Sequence, residues 1–296
     1  MEYYIYISLI LILVIIISIY LIKQRKSYYY DKKSLMSLYK YNGIDKNDET
    51  KLFEYKTESI TSVGGRKVNE DSLKFSLGDI SFWVVCDGLG GLNKGEVASG
   101  LAVSNFEEKF NSNNEFSEDR LIELIYELNN IIIDVANEKS IKMATTITAV
   151  LANKDSILFG YLGDTRLYYF RDKKLVFHTK DHSIVQRYVD IGKIDYDNIR
   201  KNPDRNILTR VLGVENICET DSISIPIKVC DGDVILICSD GFWEYVLENE
   251  MESLLEDNNK PKDWLKSMEL LILKRVENLR NDNYTAISIF VSSQRK

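Results

Sequence analysis

Apolar and polar residues divide the chain into two unequal parts. Residues 3–22 contain no charged side chain, and a helix of about 20 apolar residues is long enough to cross the hydrocarbon core of a bilayer. A cleaved signal peptide is the alternative. It fits poorly, because no basic segment precedes the run and no small-residue cleavage site follows it. We therefore predict a retained transmembrane anchor at residues 1–22.

Basic residues follow this anchor. Five Lys or Arg lie in residues 23–33 against a single acid, Asp31. Positive charge marks the cytoplasmic end of a membrane span, so we expect a single-pass protein of the cell membrane with the rest of the chain in the cytoplasm. Residues 23–54 are polar and tyrosine-rich and are predicted to be a juxtamembrane linker. A catalytic-size domain is then expected to cover residues 55–296.

Beyond residue 55 the apolar residues come in short runs that are rich in Val, Ile, Phe, Tyr and Thr. Runs of this kind, four to eight residues long, are typical of β-strands. The sequence Asp-Lys-Lys at 172–174 predicts a hairpin turn between two of them. The predicted strands are residues 73–77, 80–86, 145–152, 157–162, 166–170, 175–178, 234–238 and 286–291.

Three longer stretches are predicted to be helices: residues 96–110, 118–138 and 264–279. In the second, apolar residues recur every three or four positions, as on a helix with one buried face. Strands outnumber helices and follow one another as hairpins, so the predicted class is α+β, with antiparallel sheets covered by helices. No Pro-, Ser- or Gly-rich linker interrupts residues 55–296, which we interpret as one domain.

Composition narrows the possible functions. The formal net charge of −7 argues against a nucleic-acid partner, since proteins that bind nucleic acids are usually basic. The four cysteines form no C-x-x-C pair, and Cys86 and Cys238 lie inside apolar runs. Buried, reduced thiols in a reducing compartment are therefore expected.

The sequence VVCDGLGG at residues 84–91 ends an apolar run with an acid and three glycines. A dinucleotide-binding loop would need a glycine where Asn93 stands, and a P-loop would need a lysine where Glu96 stands. Both nucleotide-binding interpretations therefore fail at a residue that the chemistry requires. The glycines are instead expected to let the chain turn sharply after the strand, so that Asp87 faces a cleft.

Acids stand at other strand ends too. The apolar run at 234–238 leads to Asp240 and Gly241, and acidic triplets at 69–71 and 281–283 each precede a strand. A single acid in such a place is more often a turn residue or a cap, but four such places in one domain favour a shared site. Carboxylate oxygens without a His or Cys cluster suit hard cations such as Mg²⁺ or Mn²⁺.

Eight short motifs in order carry a more specific signal. Together they resemble the metal-dependent serine/threonine protein phosphatases of type 2C, in their bacterial form. One such motif would be weak evidence, whereas eight in order and at plausible spacing are strong. The motifs are RKVNED at 66–71, DGLGG at 87–91, ATT at 144–146, GDTR at 163–166, DHS at 181–183, LTRVLG at 208–213, SDGFW at 239–243 and DNYT at 282–285.

The resemblance implies a four-layer α-β-β-α sandwich, in which helices flank two antiparallel sheets and a metal site lies at one edge. It implies two core Mn²⁺ or Mg²⁺ ions and, in bacterial members, a third and weaker one. It also implies that Asp87 bridges both core ions, that Asp71 supports the site and that Arg66 binds the substrate phosphate. The further metal ligands implied are Glu70, partly through water, the Gly88 carbonyl, Asp164 for the third ion, Asp240 and Asp282.

The chemistry of phosphate esters agrees with these roles. Uncatalysed hydrolysis of a phosphomonoester is among the slowest reactions known, and divalent cations stabilise the developing charge and lower the pKa of a bound water. Arg66 is the only guanidinium in the first motif, and its planar fork matches phosphate oxygens. No covalent phosphoenzyme is expected: no cysteine has an arginine six residues on, and the DxDx[TV] pattern of aspartyl phosphatases is absent.

Two segments bear on catalysis and specificity. Animal members of the family often carry a histidine after the Asp-Gly pair, where this chain has Leu89. We interpret His182 as structural, so the leaving alkoxide is expected to take its proton from water at the metal site. Residues 184–206 resemble the flap beside the active site of bacterial relatives. They look polar and irregular, and they are a candidate for substrate choice, with a plain surface insertion as the alternative.

Two functions remain open. The first is an active phosphatase that acts on phosphoproteins and, by family analogy, opposes a membrane Ser/Thr kinase. The alternative is a catalytically inactive, membrane-tethered docking or sensing module. The presence of all five core acids favours the first, and the sequence carries no signal for the oligomeric state. Those acids are Glu70, Asp71, Asp87, Asp240 and Asp282.

Overall fold

Two five-stranded antiparallel sheets form the centre of the computed structural model, which describes residues 52–90, 94–215, 226–277 and 280–293. The strands are β1 Phe53–Ser62, β2 Asp71–Ser76, β3 Ser81–Asp87, β4 Ile147–Ala152, β5 Ser156–Leu162, β6 Arg166–Arg171, β7 Lys174–His178, β8 Ile227–Lys228, β9 Val234–Cys238 and β10 Tyr284–Ser293. The helices are α1 Gly95–Ser112, α2 Glu118–Lys139, α3 Ile184–Asp190, α4 Asp240–Trp243, α5 Glu248–Asp257 and α6 Pro261–Arg275, with a 3₁₀ helix at Tyr196–Lys201.

The first sheet has the strand order β1-β10-β9-β6-β7 and the second has β2-β3-β4-β5-β8. Their inner faces pack together: the Trp83 indole donates to Thr57 Oγ1 and packs edge-on against Tyr55. Phe159 and Phe177 also contact each other across the two sheets, with their rings tilted by 36°. Because helices cover the outer faces as well, β4, β5, β6 and β9 are buried along their whole length. This explains why the sequence shows continuous apolar runs instead of alternation.

Helices cover both outer faces. α1 and α2 pack on the second sheet, where Phe106 and Leu124 meet Phe82 and Leu151 in one core cluster. α4, α5 and α6 pack on the first sheet, with Trp264 edge-on against Phe170. The α+β class and the four-layer α-β-β-α arrangement predicted from the sequence are confirmed.

Local signals explain several boundaries. Ser117 caps α2 by accepting a hydrogen bond from the Arg120 amide. Pro261 opens α6, where its missing N–H costs nothing. The predicted hairpin turn joins β6 to β7 through Asp172 and Lys173, both at positive φ, as a tight two-residue hairpin requires.

Some elements differ from the sequence prediction. Residues 184–206 are not irregular: Ser183 caps α3, and a 3₁₀ helix follows. The last helix runs over Pro261–Arg275 instead of 264–279, and neither β1 nor α5 was predicted. Cys86 and Cys238 are buried free thiols as expected, whereas Cys230 is exposed.

The predicted anchor at residues 1–22 and most of the predicted linker lie outside the described residues. Among the residues that are described, no helix is both long enough and apolar enough to span a bilayer.

Candidate active site

Strand ends from both sheets meet at one edge of the sandwich. In the second sheet, β2 begins at Asp71 and β3 ends at Asp87, and antiparallel pairing sets these two residues directly opposite each other. Asp71 is buried, and this burial raises the pKa of its carboxyl to about 6, against the opposing effect of a hydrogen bond from Ser239. Burial, and then the charges of Asp71 and Asp240, raise the pKa of Asp87 well above its usual range.

The first sheet contributes three further acids to this edge. Asp240 follows β9, Asp282 lies two residues before β10, and Asp164 lies two residues before β6. Burial, and then the charge of Asp164, raise the pKa of Asp240 well above its usual range. Burial, and then the charge of Asp181, raise the pKa of Asp164 to about 7. The carboxylates therefore oppose one another's ionisation, as like charges at one site must.

This donor set fits divalent cations of the Mg²⁺ or Mn²⁺ kind, because all its ligands are oxygens and its negative charges need compensation. Within the described part of the chain, no three Asp, Glu, His or Cys side chains stand close enough together to form a ready-made metal cluster. The side chains have other partners here: Asp71 accepts from Ser239 Oγ at 2.7 Å, and Asp282 accepts from Arg66 Nη2 at 2.5 Å.

Glycines allow the backbone to converge behind Asp87. A Cβ on Gly88 would lie 2.2 Å from the Gly95 carbonyl oxygen, and a Cβ on Gly90 would lie 2.2 Å from Glu70 Oε2. The Gly88 amide also donates to the Glu70 carbonyl at 3.0 Å. Neither Gly88 nor Gly90 has a positive φ, so a left-handed backbone is not what requires glycine at these two positions. They are glycines because the start of α1 and the Glu70 side chain approach so closely.

Buried hydroxyls tie the two sheets together beneath the acids. Ser239 Oγ, after β9, donates to Asp71 across the sheets and accepts from the Thr285 amide at 3.0 Å. Thr146, before β4, accepts from the Asp87 amide at 2.9 Å, and its hydroxyl lies 2.6 Å from that of Thr165, before β6. These contacts set the spacing between acids that come from different sheets.

Arg66 lies at the rim of the site. Its side chain is about half exposed (48%) and pairs with Asp282, which is 32% exposed. This hydrogen bond raises the pKa of Arg66, so the guanidinium stays charged. Glu70, at the other end of the same loop, has its pKa raised by burial and then by the charge of Glu96.

His182 has a structural role, as predicted from the sequence. Its ring stacks on Tyr161 at 4.8 Å, and its Nδ1 accepts from the Gly163 amide at 3.1 Å. Burial, and then the charge of Arg210, lower the pKa of His182 to about 3. The imidazole is therefore neutral near pH 7 and holds no proton of suitable acidity to donate.

Thr146, Ser239 and Asn283 lie within the sequence motifs, but no role was predicted for them. The structure shows each of them holding a residue of the site through a hydrogen bond. A signal was present for Ser239 and Asn283, since each stands next to an acid in the motifs SDG and DN, whereas Thr146 lies in ATT beside no acid. Which acid each one reaches depends on the pairing of the two sheets.

Comparison with known proteins decides the family. The sequence profile described as "Protein phosphatase 2C" matches residues 64–279. The chain belongs to the protein phosphatase 2C family. The serine/threonine phosphatase stp of Listeria welshimeri serovar 6b is 30% identical over 213 residues, which cover 70% of this chain and 82% of that protein.

Solved structures of protein phosphatase 2C relatives agree with the fold. A bacterial serine phosphatase matches with a TM-score of 0.73 at 27% identity, covering 82% of this chain and 100% of that one. The catalytic domain of the serine/threonine protein phosphatase PstP, crystallised with two manganese ions, matches with a TM-score of 0.68 at 25% identity, covering 82% and 100%.

Proposed function

We propose that this chain is a protein serine/threonine phosphatase that hydrolyses phosphoserine and phosphothreonine in proteins with the help of Mn²⁺ or Mg²⁺. One observation carries the proposal: five carboxylates from two sheets meet at one edge, and the pKa values of four of them are raised. A cluster of mutually repelling acids is unfavourable unless cations or protons compensate it. Membership in the protein phosphatase 2C family indicates that the reaction is the hydrolysis of phosphate esters in proteins.

The proposed metal ligands are Asp87, Asp240, Asp282, the Gly88 carbonyl and Glu70, with Asp164 for a third ion. When bound, the divalent ions offset the charge of the phosphate dianion and lower the pKa of a water that serves as the nucleophile. Asp71 acts behind them, since it faces Asp87 across the strand pair and is held by Ser239.

Arg66 is proposed to bind the substrate phosphate. Its guanidinium lies at the rim and is half exposed, and a planar fork suits phosphate oxygens. In the present structure the partner of Arg66 is Asp282. A cation that binds Asp282 would release Arg66 for the phosphate, and a phosphate that binds Arg66 would release Asp282 for the cation. The leaving oxygen is proposed to take its proton from water, because the neutral His182 ring is committed to Gly163.

The decisive experiment compares the full chain with its Asp87→Asn variant. Phosphate released from a phosphothreonine peptide is measured with Mn²⁺ and with chelator, and matched unfolding curves check that both proteins are folded. We expect Mn²⁺-dependent turnover in the wild type and a loss of roughly a thousandfold in the variant. Equal rates in the two proteins would sink the proposal, and rates no higher with Mn²⁺ than with chelator would leave the inactive docking module as the better interpretation.

We further propose that residues 1–22 anchor the enzyme in the cell membrane with the catalytic domain in the cytoplasm, where a membrane Ser/Thr kinase is a suitable opponent. The uncharged run and the basic residues after it support this. Membrane fractionation of the full chain and of a chain lacking residues 1–22 tests the anchor. Equal recovery of both chains in the soluble fraction would contradict it.

Phosphoproteomics of a deletion strain would identify the substrates.

A further inference from the structure

Asn283 is a buried side chain whose partners all lie in one loop. Only 4% of it is exposed. Its Oδ1 accepts from the Glu70 amide at 2.8 Å, and its Nδ2 donates to the Val63 carbonyl at 2.8 Å and to the Val68 carbonyl at 3.0 Å. Two carbonyls and one N–H leave a single possible orientation of the amide, which uses both of its donor hydrogens. The side chain thus holds both ends of residues 63–70.

The same loop rests on the backbone around Asn283. The Gly65 amide donates to the Asn281 carbonyl at 3.1 Å. Gly64 has φ +55°, and a Cβ there would lie 2.1 Å from the Asp282 carbonyl oxygen. The loop and residues 281–283 therefore touch backbone to backbone, and two side-chain contacts also join them: the buried Asn283 amide and the more exposed pair of Arg66 with Asp282.

Burial of apolar surface does not hold the middle of this loop. Residues 65–68 are exposed, and Val68 itself is 52% exposed. An exposed segment of this kind keeps one conformation only through its polar contacts. Yet it carries Arg66, and it ends at Glu70.

We infer that Asn283 is a positioning residue that sets the place of Arg66 for the substrate phosphate and of Glu70 for the metal site. The inference deepens the proposed function and rests on it for the roles of Arg66 and Glu70. The side-chain hydrogen bonds of Asn283 all go to the backbone of this loop. Asn283 acts through three hydrogen bonds to a loop from which it is separated by 213 positions in the chain.

Asn129 supplies a matched control. It is also 4% exposed and also holds a loop, accepting from the Gly213 amide at 2.7 Å and donating to the Val214 carbonyl at 3.1 Å. Asn283→Ala and Asn129→Ala therefore remove similar interactions from different places. Thermal unfolding of both variants shows whether each is folded.

The first measurement is hydrogen exchange in the full chain without added metal. In Asn283→Ala we expect the backbone amides of residues 63–70 to exchange on the order of tenfold faster than in the wild type, with no change there in Asn129→Ala. Asn283→Asp keeps the acceptor for Glu70 and loses both donors, so residues 63–68 should exchange faster while the Glu70 amide stays protected. Unchanged exchange over residues 63–70 in Asn283→Ala would overturn the inference.

The second measurement is kinetic. With Mn²⁺ and a phosphothreonine peptide, Asn283→Ala should raise KM, and the inhibition constant of inorganic phosphate, on the order of tenfold, with a smaller effect on kcat. In an Arg66→Ala background the same substitution should raise KM less than about twofold, because coupled residues are not additive. Fully multiplicative effects would show that Asn283 does not act through Arg66, and would also overturn the inference.

The two proposals fail separately. A wild type that releases no phosphate with Mn²⁺ contradicts the proposed function, whereas the exchange experiment needs neither metal nor turnover. An active wild type with unchanged KM in a folded Asn283→Ala variant contradicts the positioning role alone.

Discussion

Two groups of buried charges lie close together in this protein and are built in opposite ways. At the edge of the sheets, the buried acids Asp71, Asp87 and Asp240 each have a raised pKa, and the charges of Asp71 and Asp240 both contribute to the rise at Asp87. Next to them, Arg166 and Asp181 form a bidentate pair at 2.7 and 2.8 Å, and both are almost fully buried.

The charges of Arg166 and Asp181 balance each other within the protein. The Arg166 guanidinium also lies over the Trp243 ring at 3.6 Å, so it has a partner on several sides. At the opposite end of β6, Arg171 binds Asp233 in the same bidentate way, at 2.9 and 2.8 Å. Such pairs satisfy their charges within the protein, and removing one partner leaves a buried charge unpaired.

Among the described residues, the acid edge is only partly compensated: Arg66 pairs with the outermost acid, Asp282, and the charge of Arg166 opposes part of the rise in the pKa of Asp164. The comparison suggests a general rule: a buried charge with its counter-charge supports the fold, whereas a cluster of like charges reserves a place for an external ion. Each of the following predictions tests that distinction, starting with the largest expected effect.

Asp240→Asn should abolish activity without weakening the fold. We expect phosphatase turnover to fall by roughly a thousandfold, since a proposed metal ligand is lost. We also expect the metal-free protein to unfold at the same or a higher temperature at pH 8, because one of several repelling charges is gone. Phosphate release and calorimetry measure the two effects. A large loss of metal-free stability would place Asp240 with the structural charges.

Asp233→Ala should do the reverse. Its carboxylate satisfies Arg171 and the Tyr169 hydroxyl and accepts from the Cys230 amide at 2.6 Å. Removing it takes the counter-charge away from the buried Arg171 guanidinium, and we expect a loss of about 3–5 kcal/mol in the free energy of unfolding. Urea denaturation gives the value. The fraction that remains folded should keep its KM, and a raised KM would argue against a purely structural pair.

Asp164→Asn should change how stability depends on pH. The folded pKa of Asp164, about 7, lies above its ordinary value of 3.8. The folded protein therefore binds a proton more tightly than the unfolded chain, and stability falls as the pH rises from about 4 to 7. The metal-free Asn variant should therefore gain stability over the wild type at pH 8 that it does not gain at pH 4, by a few kcal/mol at most. Melting curves at several pH values with chelator present provide the test, and parallel curves for the two proteins would refute it.

His182→Gln should have the smallest effect on catalysis. Because the pKa of His182 is lowered to about 3, the ring is neutral over the working range and supplies no acid. We expect kcat/KM to stay within roughly threefold of the wild type, with the basic limb of its pH profile in place. Loss of that limb in this variant alone would restore histidine as the proton donor.

Several features of the fold could be predicted from the sequence because they depend on neighbours in the chain. The helical spacing at 118–138 indicated α2, now Glu118–Lys139. The Asp-Lys-Lys turn indicated the β6–β7 hairpin. By contrast, β1 was not predicted because its sequence, FEYKTESITS, contains no strong apolar run, and none of its residues is fully buried. It exists because it pairs along its whole length with β10.

The sequence by itself determined which acids belong together. Each stands at or near a strand end in an ordered set of motifs, and Asp87, Asp164 and Asp240 stand beside a glycine. These are local properties. Only the tertiary structure decided what holds them: Ser239 reaches Asp71 over 168 positions, and Asn283 reaches Glu70 over 213. The physical reason is that a hydrogen bond depends on distances of about 3 Å in space. Those distances follow from the pairing and packing of two sheets, and no spacing along the chain contains them.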